Sequence, residues 1–215
     1  MAYTTIDNPE LYFQTKLYTG DASATAHTLD GSENMQPTLA WFKSRSRADN
    51  SRIVDALRTT NSLKSNTNAG EVDSASDGFT SLDADGFTLN GSGGGGEFNA
   101  ASGTYVTYCW KGGTTSGIVT TGADITPSTY SFNQTAGISI IKYTGNSSTD
   151  QQIAHGLGAV PHVIICKVMD ADNPQSWNIY HHKNTAAPET DYLVLDTTAA
   201  TADAVARWQD TAPTS

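Results

Sequence analysis

The sequence predicts an all-β protein, folded as an antiparallel β-sandwich or jelly roll. Its 215 residues include 30 Thr, 20 Ser and 19 Gly but only 3 Met, a composition typical of strands joined by many turns. Short runs of β-branched and aromatic residues recur between Gly-rich turns along the chain, as in sandwiches and jelly rolls. Helical composition is confined to residues 199–207.

The individual strands follow from these runs. Residues 13–18 predict a first strand that ends at the turn Thr19-Gly20. Residues 52–57 fit either a strand or a short helix, and the internal repeat described below favours the strand. Residues 112–136, rich in Gly, Thr and Ser, fit either a linker or a weak edge strand. The other predicted strands are residues 79–82, 86–89, 105–110, 138–143, 163–168 and 176–181.

Two turns are predicted between these strands. Asp83-Ala84-Asp85-Gly86 joins two short β-rich runs, so a hairpin is expected there. His155-Gly156-Leu157-Gly158 precedes a strand led by Pro161, and proline is tolerated at the first residue of a strand. Residues 91–96 predict a flexible Gly-rich loop.

The chain also repeats itself with a period of about 125 to 130 residues. Three segments recur in the same order: residues 16–20 match 141–145, residues 37–43 match 161–167, and residues 63–69 match 193–199. This predicts a first sandwich unit over residues 1–135 and a second, truncated unit over residues 136–215.

The second unit is expected to lack its closing strands. Such a sandwich would have an unpaired sheet edge, and residues of its core would be exposed to solvent. The residues expected to be exposed include Val163, Ile165, Trp177 and Leu193. We expect either a continuation of the polypeptide or a neighbouring copy in a homo-oligomer to cover this edge.

Charge and hydropathy exclude several classes of function. With 12 basic and 22 acidic residues the net charge is −10, so general nucleic-acid binding, which depends on phosphate neutralisation, is not expected. No apolar run approaches the roughly 20 residues that cross a bilayer. The start of the chain has neither a basic nor an apolar region, so no signal peptide is predicted.

Enzyme and cofactor motifs are weak in this sequence. Gly91, Gly93 and Gly96 match the spacing of a dinucleotide loop, but the flanking strand and helix that a phosphate site needs are missing. The Asp83–Gly86 segment lacks the further oxygen ligands of a calcium loop. His181 and His182 are adjacent and would point to opposite faces of a strand. The sequence therefore predicts no catalytic residues, cofactor or metal.

Two groups of residues are candidates for contact with a partner. Lys43, Arg45 and Arg47 occupy alternate positions, so a strand would direct all three side chains toward one face. That face would either bind an acidic partner or anionic glycan, or be a solvated surface that prevents aggregation. Tyr180 and His182 lie on the opposite strand face from Trp177 and Ile179, which we place in the core. Tyr180 and His182 are therefore expected to be exposed, and they are the second candidate, for contact with a sugar. Cys109 and Cys166 lie in apolar runs and are expected to be small buried side chains.

Several segments resemble one family. Residues 1–20 resemble the opening of phage virion proteins that are abundant in marine phages and cyanophages and are labelled tail-fibre or structural proteins. Residues 29–43, 105–111 and 155–161 are similar to segments of the same family, so the resemblance covers most of the chain. It implies a concanavalin-A-like sandwich displayed on the virion, with host-surface binding and no catalytic residues.

These observations together predict a non-enzymatic phage virion structural protein, a tail fibre or another appendage or decoration subunit. Its expected partners are other virion proteins, copies of itself and a host-surface glycan. The resemblance to the phage family suggests a trimer. The first alternative is a lectin-like carbohydrate-binding module. The second is a glycan-degrading enzyme of the same shape, which would need two carboxylates facing each other in a cleft.

Overall fold

The computed structural model of the protein describes residues 6–91 and 96–215. Almost all of its regular structure is antiparallel β-sheet, so the predicted all-β antiparallel sandwich is confirmed. Helical structure among the described residues comprises a 3-10 turn at Pro9–Leu11 and the four-residue helix α1 (Val205–Trp208). Within these ranges the structure contains no helix with the length and apolar character that crossing a bilayer would need.

The chain forms two compact units. The first consists of the described residues up to Ser65 together with Glu71–Gly113, and the second of Asn66–Gly70 together with Thr114–Ser215. The second unit thus begins well before the repeat boundary expected at residue 135. The reason is that the Gly/Thr/Ser-rich stretch contains a strand that pairs within the second unit.

The first unit is a sandwich of a six-stranded and a three-stranded sheet. In the larger sheet the strand order is β1-β9-β3-β4-β5-β6, and in the smaller it is β2-β8-β7. The strands are β1 (Phe13–Thr19), β2 (Thr25–His27), β3 (Leu39–Ser44), β4 (Arg52–Asp55), β5 (Asn61–Lys64), β6 (Val72–Asp73), β7 (Phe79–Asp83), β8 (Gly86–Leu89) and β9 (Thr104–Trp110).

An aromatic core holds these two sheets together. Phe42 of the large sheet packs edge-on against Phe87 of the small sheet, with ring centroids 4.9 Å apart. Tyr18 stacks on Tyr105 at 5.0 Å, and the Tyr18 hydroxyl donates a hydrogen bond to the Phe98 carbonyl. Burial of such large rings from both sheets supplies most of the free energy that favours a sandwich.

The second unit contains a two-stranded and a four-stranded sheet, ordered β10-β11 and β12-β13-β14-β15. Its buried side chains include Phe132, Trp177 and Tyr180. The strands are β10 (Thr129–Asn133), β11 (Ile138–Lys142), β12 (Val163–Cys166), β13 (Asn178–His181), β14 (Asp191–Val194) and β15 (Ala202–Asp203).

Most local predictions are confirmed. Residues 52–55 form strand β4 and not a helix, and β7 and β8 form the predicted hairpin. Gly86 closes that hairpin with φ of 113°, a left-handed conformation that favours glycine. The helical prediction for residues 199–207 is largely wrong, because β15 pairs with β14 and leaves only the short helix α1. Residues 92–95 of the predicted Gly-rich loop lie outside the described residues.

The predicted turn at residues 155–158 is also confirmed. Gly156 and Gly158 both have positive φ angles, 73° and 65°. A Cβ atom on Gly156 would lie 2.7 Å from the Phe132 ring, so the motif requires glycine there for both backbone conformation and packing. His155 contributes locally, since its Nδ1 accepts a hydrogen bond from the Leu157 amide.

The exposure expected in the second unit is found at β12. Val163 and Ile165 are 48% and 49% exposed. Leu193, which was also expected to be exposed, is half-buried. Trp177 is instead buried, so its predicted exposure is wrong. Its indole Nε1 donates a hydrogen bond to the Thr67 carbonyl, in the chain segment that joins this unit from residues 66–70.

Candidate functional site

The basic cluster at residues 43–47 does not form the predicted alternating strand. Strand β3 ends at Ser44, so that only Lys43 lies on it, and Arg45 and Arg47 follow in a bend. The Arg47 Nε donates a hydrogen bond of 2.7 Å to an Asp49 carboxylate oxygen. The expectation that one strand face presents three cations is therefore wrong.

Arg52 and Arg58, which continue the basic segment, are structural. The Arg52 side chain is only 2% exposed and forms ion pairs with Glu97 and Asp77. Arg58 is buried against Asp55, at 2.6 Å. These two guanidinium groups are themselves buried and are paired with carboxylates of the same chain, so they are not available for a partner.

The second predicted contact, at Tyr180 and His182, also changes in the structure. Tyr180 is 4% exposed, and its ring packs edge-on against Trp208 at 5.9 Å. Because β13 lies between two strands and is covered on this face, the predicted exposure of Tyr180 is wrong. His182 stacks on His162 with ring centroids 4.0 Å apart, and desolvation together with the nearby His162 lowers the pKa of His182.

A different surface carries the exposed aromatic side chains. On the outer face of the six-stranded sheet lies a groove of about 360 Å³. Three aromatic rings dominate its walls, and the remaining lining is polar. The lining residues are Trp41, Lys43, Ser51, Tyr108 and Trp110.

Strand pairing brings these rings together. Trp41 of β3 lies directly opposite Tyr108 of β9, and Trp110 follows two residues along β9 on the same face. The row continues onto β1, where Phe13 opposes Trp110 with ring centroids 5.1 Å apart. Tyr108 is 39% exposed. The result is a continuous aromatic surface that extends across β1, β9 and β3, from one edge of the sheet inward.

The face is aromatic on the outside because the inside is filled by the alternate residues. Ala40 and Phe42 of β3, and Thr107 and Cys109 of β9, are fully buried toward the core. Since side chains alternate along a strand, the intervening residues must point outward. Exposed apolar surfaces of this kind often mark interaction sites.

The groove contains one formal charge. Lys43 lies at its edge, and its Nζ donates a hydrogen bond of 3.4 Å to the Asp49 carbonyl. No carboxylate is among the residues that line the groove, and across the described residues no three His, Cys, Asp or Glu side chains cluster as a metal site requires. This lining is suited to binding a planar or ring-shaped ligand by stacking.

Sequence reasoning did not single out Trp41, Tyr108 and Trp110. The available signal was that each strand carries apolar residues on both alternating faces. Trp41 lies beside Phe42, and Tyr108 and Trp110 flank Cys109. A strand that is apolar on both faces is either buried on both or presents one face to a ligand.

The family of the chain is established by a match over nearly its full length. The model of a family described as a domain of unknown function, DUF7483, matches residues 8–215. The chain belongs to this family. No curated protein and no solved structure matches the chain.

The matched residues include both units, the groove and the fifteen strands found among the described residues. The concanavalin-A-like likeness, the phage family and the virion location stay predictions from the sequence.

Proposed function

We propose that this DUF7483 chain is a non-enzymatic, lectin-like binding protein whose outer aromatic groove contacts carbohydrate. The observation that supports the proposal is the arrangement of Trp41, Tyr108 and Trp110 on one exposed sheet face. The chain would serve as a structural appendage subunit of a phage virion, assembled with other virion proteins and with copies of itself, and would contribute to attachment at the host surface.

The chemistry of sugars fits this groove. A pyranose ring presents a patch of C–H groups on one face and hydroxyls around its rim. The C–H face packs on an aromatic ring, and the hydroxyls remain hydrated or bond to polar groups such as Lys43 and Ser51. Opposed residues on neighbouring antiparallel strands lie about 5 Å apart, so Trp41 and Tyr108 together form a platform wide enough for a sugar ring.

The same lining favours binding over hydrolysis. A glycoside hydrolase needs an acid and a second carboxylate on either side of the scissile bond. The five lining residues supply an ammonium group, a hydroxyl and aromatic rings, and none supplies a carboxylate. The virion role rests on the resemblance of residues 1–20, 29–43, 105–111 and 155–161 to phage structural proteins.

A glycan array followed by calorimetry tests the proposed binding. The wild-type chain should retain specific glycans, and Trp41→Ala and Tyr108→Ala should each weaken binding about tenfold or more. Val119→Ala, which alters a strongly exposed side chain of the second unit, should leave binding unchanged. Retention of no glycan, or equal binding by all four proteins, would refute the groove as a carbohydrate site.

The virion role needs a separate measurement. Labelling the chain with a specific antibody on intact phage particles should place it on an appendage or on the capsid surface. Its absence from purified particles would refute the virion role and leave the binding proposal to the array.

A further inference from the structure

The four-stranded sheet of the second unit matches four of the six strands of the large sheet of the first. The order β12-β13-β14-β15 corresponds to β3-β4-β5-β6, and all the pairings are antiparallel. The residues that oppose one another also correspond when the segments of the predicted repeat are aligned. The matched pairs are Leu39–Asp55 with Val163–His181, Ile53–Leu63 with Ile179–Leu193, and Asn61–Asp73 with Asp191–Asp203.

The two sheets differ at strand β9. In the first unit β9 lies between β1 and β3 and pairs with both in antiparallel fashion. The counterpart of β1 is β11, which precedes the second Tyr-Thr-Gly segment, and the counterpart of β3 is β12. Among the described residues β11 pairs only with β10, and β12 pairs only with β13. Each therefore has one edge on which no strand is found.

The side chains beside these edges are apolar. On β12, Val163 and Ile165 are about half exposed. On β11, Ile138 and Ile140 occupy the positions equivalent to Phe13 and Thr15 of β1 and are incompletely buried.

We propose that the second unit binds a β-strand from a partner polypeptide between β11 and β12, antiparallel to both. The strand would have about seven residues and the alternation of β9, with large apolar or aromatic side chains at every second position. The reason is that the first unit fills the same position with β9, and an unpaired edge is a template for strand addition. This site is independent of the aromatic groove.

The register of the first unit predicts the contacts. Leu39 and Phe13 flank Trp110, and Trp41 and Thr15 flank Tyr108. In the second unit the equivalent flanking pairs are Val163 with Ile138 and Ile165 with Ile140. A strand with aromatic residues at these two positions would cover the exposed isoleucine and valine side chains, and its backbone would satisfy the amides and carbonyls of both edges.

A synthetic peptide with the β9 sequence is a direct probe. The peptide comprises residues 103–111 with Ser in place of Cys109, and the control peptide contains the same residues in an order that abolishes the alternation. Binding to the full 215-residue chain is measured by calorimetry, and hydrogen exchange of the chain locates the site. We expect protection of the amides of β11 and β12 by the β9 peptide and none by the control.

Two variants of the chain make the test specific. Ile165→Asp should weaken peptide binding about tenfold or more, because it places a charge against the bound strand. Val119→Asp introduces the same charge at another exposed position of the second unit and should leave binding within about twofold. Both positions are exposed, so neither change should unfold the chain.

Three outcomes would overturn the proposal. The first is absence of peptide binding, and the second is protection outside β11 and β12. The third is self-association of the chain, measured by sedimentation. In this outcome the Ile165→Asp substitution abolishes the self-association, and the β9 peptide does not compete with it. A second copy would then be the occupant of the edge.

Discussion

Trp41 and Tyr108 lie directly opposite one another on the antiparallel strands β3 and β9 and line the same groove. Their backbones are fixed by ladder hydrogen bonds on both sides, since β9 pairs with β1 and β3 pairs with β4. The two rings are therefore held on a rigid sheet and not on a loop. Rigid aromatic side chains bind with little loss of conformational entropy.

The charge of Lys43 should set a preference among carbohydrate ligands. Among the described residues that line the groove, Lys43 alone is charged. Lys43→Glu should therefore weaken the binding of acidic saccharides about fivefold, in keeping with a partly exposed charge pair. The binding of neutral saccharides should change little. Calorimetry at two salt concentrations checks this, since the acidic ligand should also lose affinity with salt.

The matched control for this prediction is Lys183→Glu, which makes the same charge change at an exposed residue of the second unit. If Lys43→Glu and Lys183→Glu affect acidic ligands equally, the effect reflects the net charge of the chain and not the groove.

The two kinds of arginine in the basic segment should differ sharply in stability. Arg52→Met removes a buried guanidinium from Glu97 and Asp77 and should lower the free energy of unfolding by about 3 kcal/mol. Arg47→Met breaks the pair between the exposed Arg47 side chain and Asp49 and should change the free energy of unfolding much less. Urea unfolding followed by circular dichroism measures both, and equal losses would contradict the structural role of Arg52.

Acid should destabilise the first unit through His27. Desolvation and the positive charge of Lys16 lower the pKa of His27, with Asp21 acting in the opposite direction. The His27 ring packs against Tyr18 and Phe87, with centroids 4.4 and 5.2 Å apart. Because the unfolded histidine takes up a proton near pH 6.5 and the folded one only at lower pH, stability should fall as the pH drops below about 6.5.

Thermal unfolding of the wild type and of His27→Phe between pH 7.5 and pH 5 checks this. The variant keeps an aromatic ring beside Tyr18 and should lose less stability over this interval. The pKa of His182 in the second unit is lowered as well, so some pH dependence should persist in the variant. Identical pH dependence of both proteins would rule out a contribution from His27.

The two cysteine thiols should be unreactive in the folded chain. Both thiols are free, and burial raises the pKa of Cys109 to about 12 and that of Cys166 to about 11. Since the thiolate is the reactive form, almost none is available at pH 8. A colorimetric thiol reagent should label neither residue in buffer and both in urea. Rapid labelling without denaturant would show that these sites open.

The sequence by itself determined the local structure, because strands and tight turns depend on neighbouring residues. β1 and β9 lie within one residue of the predicted segments, and the hairpin of β7 and β8 forms around the predicted Asp83–Gly86 turn. Gly86 and Gly156 adopt positive φ angles at the predicted turns. The internal repeat predicted exposed apolar residues in the second unit, and Val163 and Ile165 of β12 are found exposed.

Only the tertiary structure decided which face of each strand is covered. Alternation divides a strand into two faces, but where both faces carry large side chains it does not say which face another element will bury. Tyr180 is buried because Trp208 packs on it, and Arg52 because Glu97 and Asp77 pair with it. Trp41 and Tyr108 form the groove because β3 and β9, distant in the sequence, pair in one register and leave their outer face open.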